Sequence, residues 1–504
     1  MGPALSGCLR DDPGPGTPSP LALAYEPVCG VTDWAEPCVA NASPNESPSQ
    51  TEIDLAVNPK DPLNVIVGSK DNDKQASGCV WAVPQITKDG GKTWTTVYIG
   101  GKKAQRQPGQ PLYGWGCITD PIIAFDKEGW AYYGLQAYNA GTDSNEPPNP
   151  CLPPTSGGTN SGSAFYLARS RDGGLTWDRI IPLHGGEGNL VFHDYPRMAT
   201  NPVTNSAFVI WNEFDTASLP CNIDQTRRIG SGAIRPVIAG SRDRGETPMQ
   251  PVYLVPRDHP KAPYFGITGF AIAKTGKMYV ALATPKDVTK EIEPTSEVWL
   301  VTSTDDGRSW TAPQKVFETT EITPARPGAR AHTPTTRFRI NTAVELAVDT
   351  STGNRTGCLY ATWVDNRSGH ADVLSSRSCD EGRAWSPPVQ VNQDRTAGYQ
   401  VMTRNVVSAD GVLHVGYITQ AYDPGVKLFD AEYAFSEDGG ETWRTQRLTQ
   451  VSFDGDKGIH QDGGAFFGDY NGIGASGGHV YFGFPHSLAG VAEVAVAHLA
   501  RNES

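Results

Sequence analysis

Ser170-Arg171-Asp172-Gly173-Gly174-Leu175-Thr176-Trp177 has the form Ser/Thr-x-Asp-x-Gly-x-Thr/Ser/Ala-Trp, and the chain repeats it. Further copies are Thr87–Trp94, Ser303–Trp310, Ser378–Trp385 and Ser436–Trp443. Ser241–Pro248 keeps the turn residues but carries Pro248 in place of the tryptophan. In each octet the Asp and Ser/Thr oxygens can accept backbone N–H groups across a tight turn, and glycine permits a positive φ. The tryptophan can then fold back as an apolar plug, its indole N–H available to a local acceptor. The octet is therefore a hairpin stabiliser. The aspartates 89, 172, 243, 305, 380 and 438 are spaced 58–83 residues apart, the length of one small antiparallel sheet per repeat.

Between the octets the strand pattern recurs from about residue 50 onward, four strands to a unit. Six units precede a last segment of three strands, Asn471–Ala475, Val480–Phe484 and Ala492–Leu499, which has no octet. An all-β propeller follows. Seven blades are preferred, with the N-terminal region supplying the missing strand and closing the ring. Six blades is the alternative if the last segment completes an existing blade. The expected organisation is an N-terminal tether or extended wrap over 1–50 and a propeller over 51–504.

Composition agrees with a turn-rich β protein: 55 Gly, 40 Pro and only 19% charged residues. The net charge of -13, with no basic run longer than a pair, argues against a nucleic-acid partner. No stretch of twenty apolar residues offers a transmembrane segment. The nine cysteines lack Cys-x-x-Cys spacing and point to an oxidising, extracellular compartment. Cys29/Cys38 and Cys358/Cys379 are the local disulfide candidates. Leu5-Ser6-Gly7-Cys8 has the form of a lipoprotein signal end, which would put a lipid anchor on Cys8; an accidental match is the alternative.

The octets resemble those of the BNR/Asp-box proteins, the superfamily that includes sialidases, over roughly residues 50–500. The phrase Leu359-Tyr360-Ala361-Thr362-Trp363-Val364-Asp365 followed by Asn366-Arg367 is similar to its secreted or lipid-anchored members. The resemblance implies a propeller and a glycan or polysaccharide partner. For a sialidase it further implies an arginine triad on the sugar carboxylate, a Tyr nucleophile assisted by Glu, and an Asp acid/base. The nearest fragment to the family's Phe/Tyr-Arg-Ile-Pro is Phe338-Arg339-Ile340-Asn341. It has Asn341 in place of proline and lies at the fifth blade, not the first.

Functional groups on a propeller gather where first strands meet the central channel. His193-Asp194-Tyr195-Pro196-Arg197 opens the third blade, Phe467-Gly468-Asp469-Tyr470 the last, and Cys117-Ile118-Thr119-Asp120-Pro121 the second. Asp194, Tyr195, Asp469 and Tyr470 are the catalytic candidates, as paired carboxylates for acid/base work or as a tyrosine nucleophile beside a Glu such as Glu213, Glu345 or Glu493. Asp120, His193, Arg197, Arg339 and Arg367 are substrate-binding candidates, the arginines suited to an anionic sugar. The competing reading makes the aspartates satisfiers of backbone N–H groups and the arginines interblade ties. No cofactor is required on this reading; Ca²⁺ held by carboxylates is an option, and no metal ligand is assigned. Nucleophile-elbow, phosphate-loop and His-Glu-x-x-His motifs are absent from the sequence. Three functions stay open: a sialidase-like glycoside hydrolase, a non-catalytic carbohydrate- or protein-binding propeller, and a metal-assisted or lyase-type polysaccharide enzyme.

Overall fold

The computed structural model describes residues 25–29, 38–43, 50–72, 80–101, 105–139, 162–185, 191–215, 233–324, 331–340, 343–423, 425–461, 464–487 and 490–501. Cys8 and its lipid-anchor reading, the 140–161 stretch and Asp462 lie outside them. The chain is an all-β, seven-bladed propeller of four-stranded antiparallel sheets. The innermost strands, in order, are Gln50–Asn58, Cys117–Phe125, Val191–Thr200, Gly266–Ile272, Val344–Val348, Gln400–Val407 and Gly472–Ser476. Each packs beside the next and the seventh beside the first. The apolar core lies in the seams between blades; for example, Ile66 and Ile86 of blade 1 share a cluster with Tyr133 and Leu135 of blade 2.

The N-terminal region completes blade 7 as expected. Tyr25–Pro27 and Val39–Asn41 both pair with the last strand, Glu493–Arg501, with Pro27 opposite Leu499 and Val39 opposite Ala497. The Cys29–Cys38 disulfide ties the end of the first short strand to the start of the second. Two segments within residues 1–50 thus belong to the propeller itself. Cys358–Cys379 joins the second and third strands of blade 5.

Every octet forms the turn between third and fourth strands. At Asp172, Oδ1 accepts from the Thr176 amide at 2.9 Å and from Ser170 Oγ at 2.8 Å, while Oδ2 accepts from Thr176 Oγ1 at 2.6 Å. Ser241–Pro248 makes the same set without its tryptophan. Fourth strands begin beyond the tryptophan, at Arg179, Gln314, Val389 and Arg444, because the plug residue is spent on the turn. The expected indole acceptor needs correction. Of the octet indoles, Trp385 donates to Gly382 O, whereas Trp94, Trp177, Trp310 and Trp443 find no acceptor among the described residues.

The octet also does more than close its own hairpin: it docks onto the preceding blade. Lys88 and Asn64 of blade 1 donate to the Asp172 and Gly173 carbonyls of blade 2. Arg169 of blade 2 reaches Arg244 O and Glu246 of blade 3, Arg242 reaches Asp306 O of blade 4, and Arg377 reaches Asp438 O and Gly439 O of blade 6. At Gly174 (φ +104°) a Cβ would lie 2.7 Å from Ile66 Cδ1 and 2.9 Å from Ile86 Cγ1, both in blade 1. Gly174→Ala is therefore expected to destabilise the fold by about 1–3 kcal/mol, from left-handed strain and overpacking together. A lowered urea midpoint with unchanged ligand binding would bear this out; an unchanged midpoint would refute the clasp.

Candidate functional site at the channel mouth

The octets lie on one face of the ring, and the inner strands enter from the other. Near that mouth the inner strands are irregular in the same way. The ladder slips between Thr51 and Asp54, Thr119 and Ile122, Asp194 and Arg197, and Val401 and Arg404. Each slip holds a non-glycine residue at positive φ: Glu52 (54°), Asp120 (51°), Tyr195 (59°) and Met402 (55°). Such bulges re-aim a side chain at some conformational cost, and they cluster at functional sites. Here three of the four re-aimed residues are polar groups that meet at the mouth.

The upper layer is a carboxylate cluster. Thr119 Oγ1 bridges Asp120 Oδ1 (2.9 Å) and Glu52 Oε2 (3.3 Å). The Tyr195 amide donates to Asp194 Oδ1 (2.8 Å) and Asp120 Oδ2 (3.2 Å), which braces the strained bulge. Lys70 Nζ lies 3.6 Å from Glu52 Oε2. Arg339 reaches Asp469 at 3.1 Å from a hairpin formed by Ala331–His332 and Arg339–Ile340. A second hairpin, Ile459–Gln461 with Gly464–Phe466, is joined to the first by the Phe338–Ala465 bridge. It sets the Phe466 ring under both Lys70 and Arg339. Glu52 and Asp120 are buried, while Asp194, Tyr195 and Asp469 are partly open to solvent.

The lower layer is an ion-pair belt across the channel. Arg197 Nη2 of blade 3 binds Glu345 Oε1 of blade 5 at 2.6 Å. Arg404 of blade 6 binds the other Glu345 oxygen at 2.9 Å and Asp54 of blade 1 at 3.3 Å. Arg197 also donates to Tyr195 Oη at 2.9 Å, and its guanidinium stacks over the Tyr195 and Tyr470 rings. Tyr470 Oη donates to Pro121 O at 3.1 Å.

Burial governs the proton affinities. Burial, then the neighbouring Asp194 carboxylate, push Asp120 up to about 7. Burial and Asp120 push Glu52 well above the usual carboxylate range against the pull of Lys70. Asp194 is raised by burial, opposed by its hydrogen bond with Asp120. Burial raises Asp54 to about 6 against the pull of Arg404. Burial also lifts the Tyr195 hydroxyl to about 12 and Tyr470 well above its ordinary value, so both phenols keep their protons. Asp120 therefore titrates near neutrality, between two neighbouring carboxyls, Glu52 and Asp194, that burial also raises.

Of the residues singled out in the sequence, Asp120, Asp194, Tyr195, Arg197, Arg339, Asp469 and Tyr470 come together here. Arg367 does not; it is half-exposed at the blade 5 rim, on Asp365 at 2.7 Å. His193 points away from the channel to Ser163 and Glu213. Glu52, Lys70, Thr119, Arg404 and Phe466 were not singled out. Glu52 reads as an ordinary strand start and Lys70 as a strand end; the re-aiming bulge leaves no mark in residue type.

No protein-family model matches the chain, and no curated protein is significantly similar to it. Solved structures that resemble it include a Hadza microbial sialidase, at 14% identity over 87% of this chain and 73% of that one, TM-score 0.47. The NanB sialidase of Streptococcus pneumoniae matches at 10% identity over 87% and 83%, TM-score 0.45. An α-L-arabinanase of Penicillium chrysogenum matches at 14% over 75% and 92%, TM-score 0.42. At such values the site is interpreted from its own geometry.

A carboxyl whose folded pKa is raised stabilises the fold fully below its unfolded pKa of about 4, and that contribution is lost as pH rises through the folded value. For Asp120 the window runs from about 4 to about 7. Asp120→Asn should therefore flatten the decline in thermal midpoint between pH 5 and pH 8 and exceed the parent protein at pH 8. An equal decline in both proteins would contradict the raised Asp120 carboxyl.

Proposed function

We propose that this protein is a glycan-directed hydrolase of the cell exterior, with acid/base chemistry run by the carboxylates at the channel mouth. The observation that carries the proposal is Asp120, raised to about 7 between the buried Glu52 and the Asp194 carboxyl, beside the partly open Asp194, Tyr195 and Asp469. General acid catalysis at a glycosidic oxygen needs a carboxyl still protonated near the working pH, and a second carboxylate must stay ionised as base or nucleophile. Asp120 and Asp194 supply the proton on this reading. Asp469, salt-bridged to Arg339, is the second carboxylate on this reading. Tyr195 offers a ring face for sugar stacking.

Charge separates a neutral sugar from an anionic one. Arg197, Arg339 and Arg404 are all central, yet each is already bound to Glu345, Asp469 or Asp54. A sugar carboxylate would have to displace an internal partner, so the reading favours a neutral glycan. The tyrosine-nucleophile route is also less favoured, because Tyr470 donates its proton to a carbonyl and Tyr195 Oη already accepts from Arg197. The disulfides and the lack of any long apolar helix among the described residues are compatible with an extracellular protein. Anchoring through Cys8 is the finer proposal for how it would be retained there.

The test is hydrolysis of a panel of neutral oligosaccharides and polysaccharides alongside sialosides, with and without a calcium chelator. A neutral linkage should be cleaved, with kcat/KM falling as pH rises through about 7 as Asp120 loses its proton. Asp120→Asn and Asp194→Asn should each lose about 100-fold or more at unchanged circular dichroism. Cleavage of sialosides alone would restore the anionic-sugar reading. Glycan binding without turnover would assign a binding module. Activity lost in chelator and restored by Ca²⁺ would place a cation among the carboxylates.

A further inference from the structure

Away from the channel, in the seam between blades 2 and 3, two histidines and a glutamate converge. His184 lies on the outer strand of blade 2, and His193 and Glu213 are directly opposite partners on the first two strands of blade 3. Glu213 Oε1 lies 2.8 Å from His184 Nε2 and 3.6 Å from His193 Nε2, and the three atoms fall within 4.8 Å of one another. The His193 and Glu213 side chains are 0% and 1% exposed and that of His184 is 21% exposed.

The hydrogen bonds around the cluster aim its acceptors at one another. His193 Nδ1 is 2.8 Å from Ser163 Oγ, which accepts the His193 amide at 3.0 Å and has Val191 O at 3.4 Å for its own proton. With His193 donating from Nδ1, its Nε2 turns a lone pair toward the Glu213 carboxylate. Buried His193 Nε2 makes no hydrogen bond among the described residues, and the imidazoles of His184 and His193 both face buried Glu213 Oε1. Two facing acceptors in a dry seam repel unless a positive charge lies between them. The other carboxylate oxygen is engaged by Arg235 at 3.0 Å and Tyr253 Oη at 3.2 Å, which fixes the orientation of Oε1. A polar outer shell on ligand histidines and carboxylates is what a metal centre requires.

We propose that His184, His193 and Glu213 bind a divalent transition-metal ion of the zinc class, stapling blade 2 to blade 3. Two imidazole nitrogens and one carboxylate oxygen suit zinc, and a fourth position is left for water. Ligands bonded at about 2.0–2.1 Å in a tetrahedron lie about 3.3 Å apart. The 2.8 and 3.6 Å separations straddle that value. The site is independent of the glycan proposal, since none of its residues belongs to the carboxylate cluster.

The experiment uses the full chain, stripped with chelator and titrated with zinc or cobalt(II). One ion per chain should survive desalting, and cobalt(II) should give the intense visible bands of a four-coordinate site, displaced by zinc. The thermal midpoint should rise with zinc. His184→Ala and Glu213→Gln should each abolish uptake and the cobalt bands. His184 is the more exposed ligand, so its variant serves should Glu213→Gln fail to fold. No stoichiometric uptake by the parent protein, or uptake unchanged in His184→Ala, would overturn the site and leave the cluster as a hydrogen-bonded seam.

Discussion

Closure of the ring is the constraint from which the rest follows. The final strand, Glu493–Arg501, would be an open edge without Tyr25–Pro27 and Val39–Asn41, so both chain ends must meet before blade 7 exists. Exposed edges invite wrong pairing, and closure removes this one. It also assembles the candidate site. Glu52 and Lys70 come from blade 1, Asp120 from blade 2, Asp194 from blade 3 and Asp469 from the approach to blade 7. Blades 7 and 1 adjoin only because the ends join. The Cys29–Cys38 bridge narrows the unfolded ensemble at that junction; a loop of this length is worth about 2–3 kcal/mol in the chain-entropy account.

Closure brings like charges together, and the belt beneath them makes this tolerable. Arg197 and Arg404 cross the channel to Glu345 and Asp54, and breaking one such buried pair costs about 3–5 kcal/mol. Replacement of the whole belt by apolar residues need not be destabilising, so its value is positional. It holds the base of the mouth rigid while the bulges at Glu52, Asp120 and Tyr195 aim their side chains upward.

The fold was legible because the octet signals its turn through residue type: the Asp, Ser/Thr and Gly positions have few substitutes in that geometry. Three strands without an octet at the C-terminus were enough to demand a partner from the N-terminus. The site was legible in part. The echo of Asp194-Tyr195 in Asp469-Tyr470 marked two inner-strand entrances, and the tyrosines do meet, with ring centroids 6.2 Å apart. Glu52 and Lys70 escaped notice because a bulge changes which face a side chain takes without changing the sequence pattern. Arg367 and His193 misled for the converse reason. Each stands near a blade entrance, but Arg367 closes on Asp365, two residues away, and alternation along the strand turns His193 into the seam.

The repeated motif and the candidate site occupy opposite faces of the ring, and this explains why recognising one says so little about the other. The turn between third and fourth strands and the start of the first strand are at opposite ends of every blade. An octet can therefore brace its neighbour through Lys88, Arg169, Arg242 or Arg377 without touching a ligand. The octet face serves interblade docking, and the mouth gathers charge and raised proton affinity. The Ser241–Pro248 octet retains its turn hydrogen bonds despite losing the tryptophan, so even within the scaffold the docking carbonyls and the Asp–Ser/Thr bonds matter more than the plug.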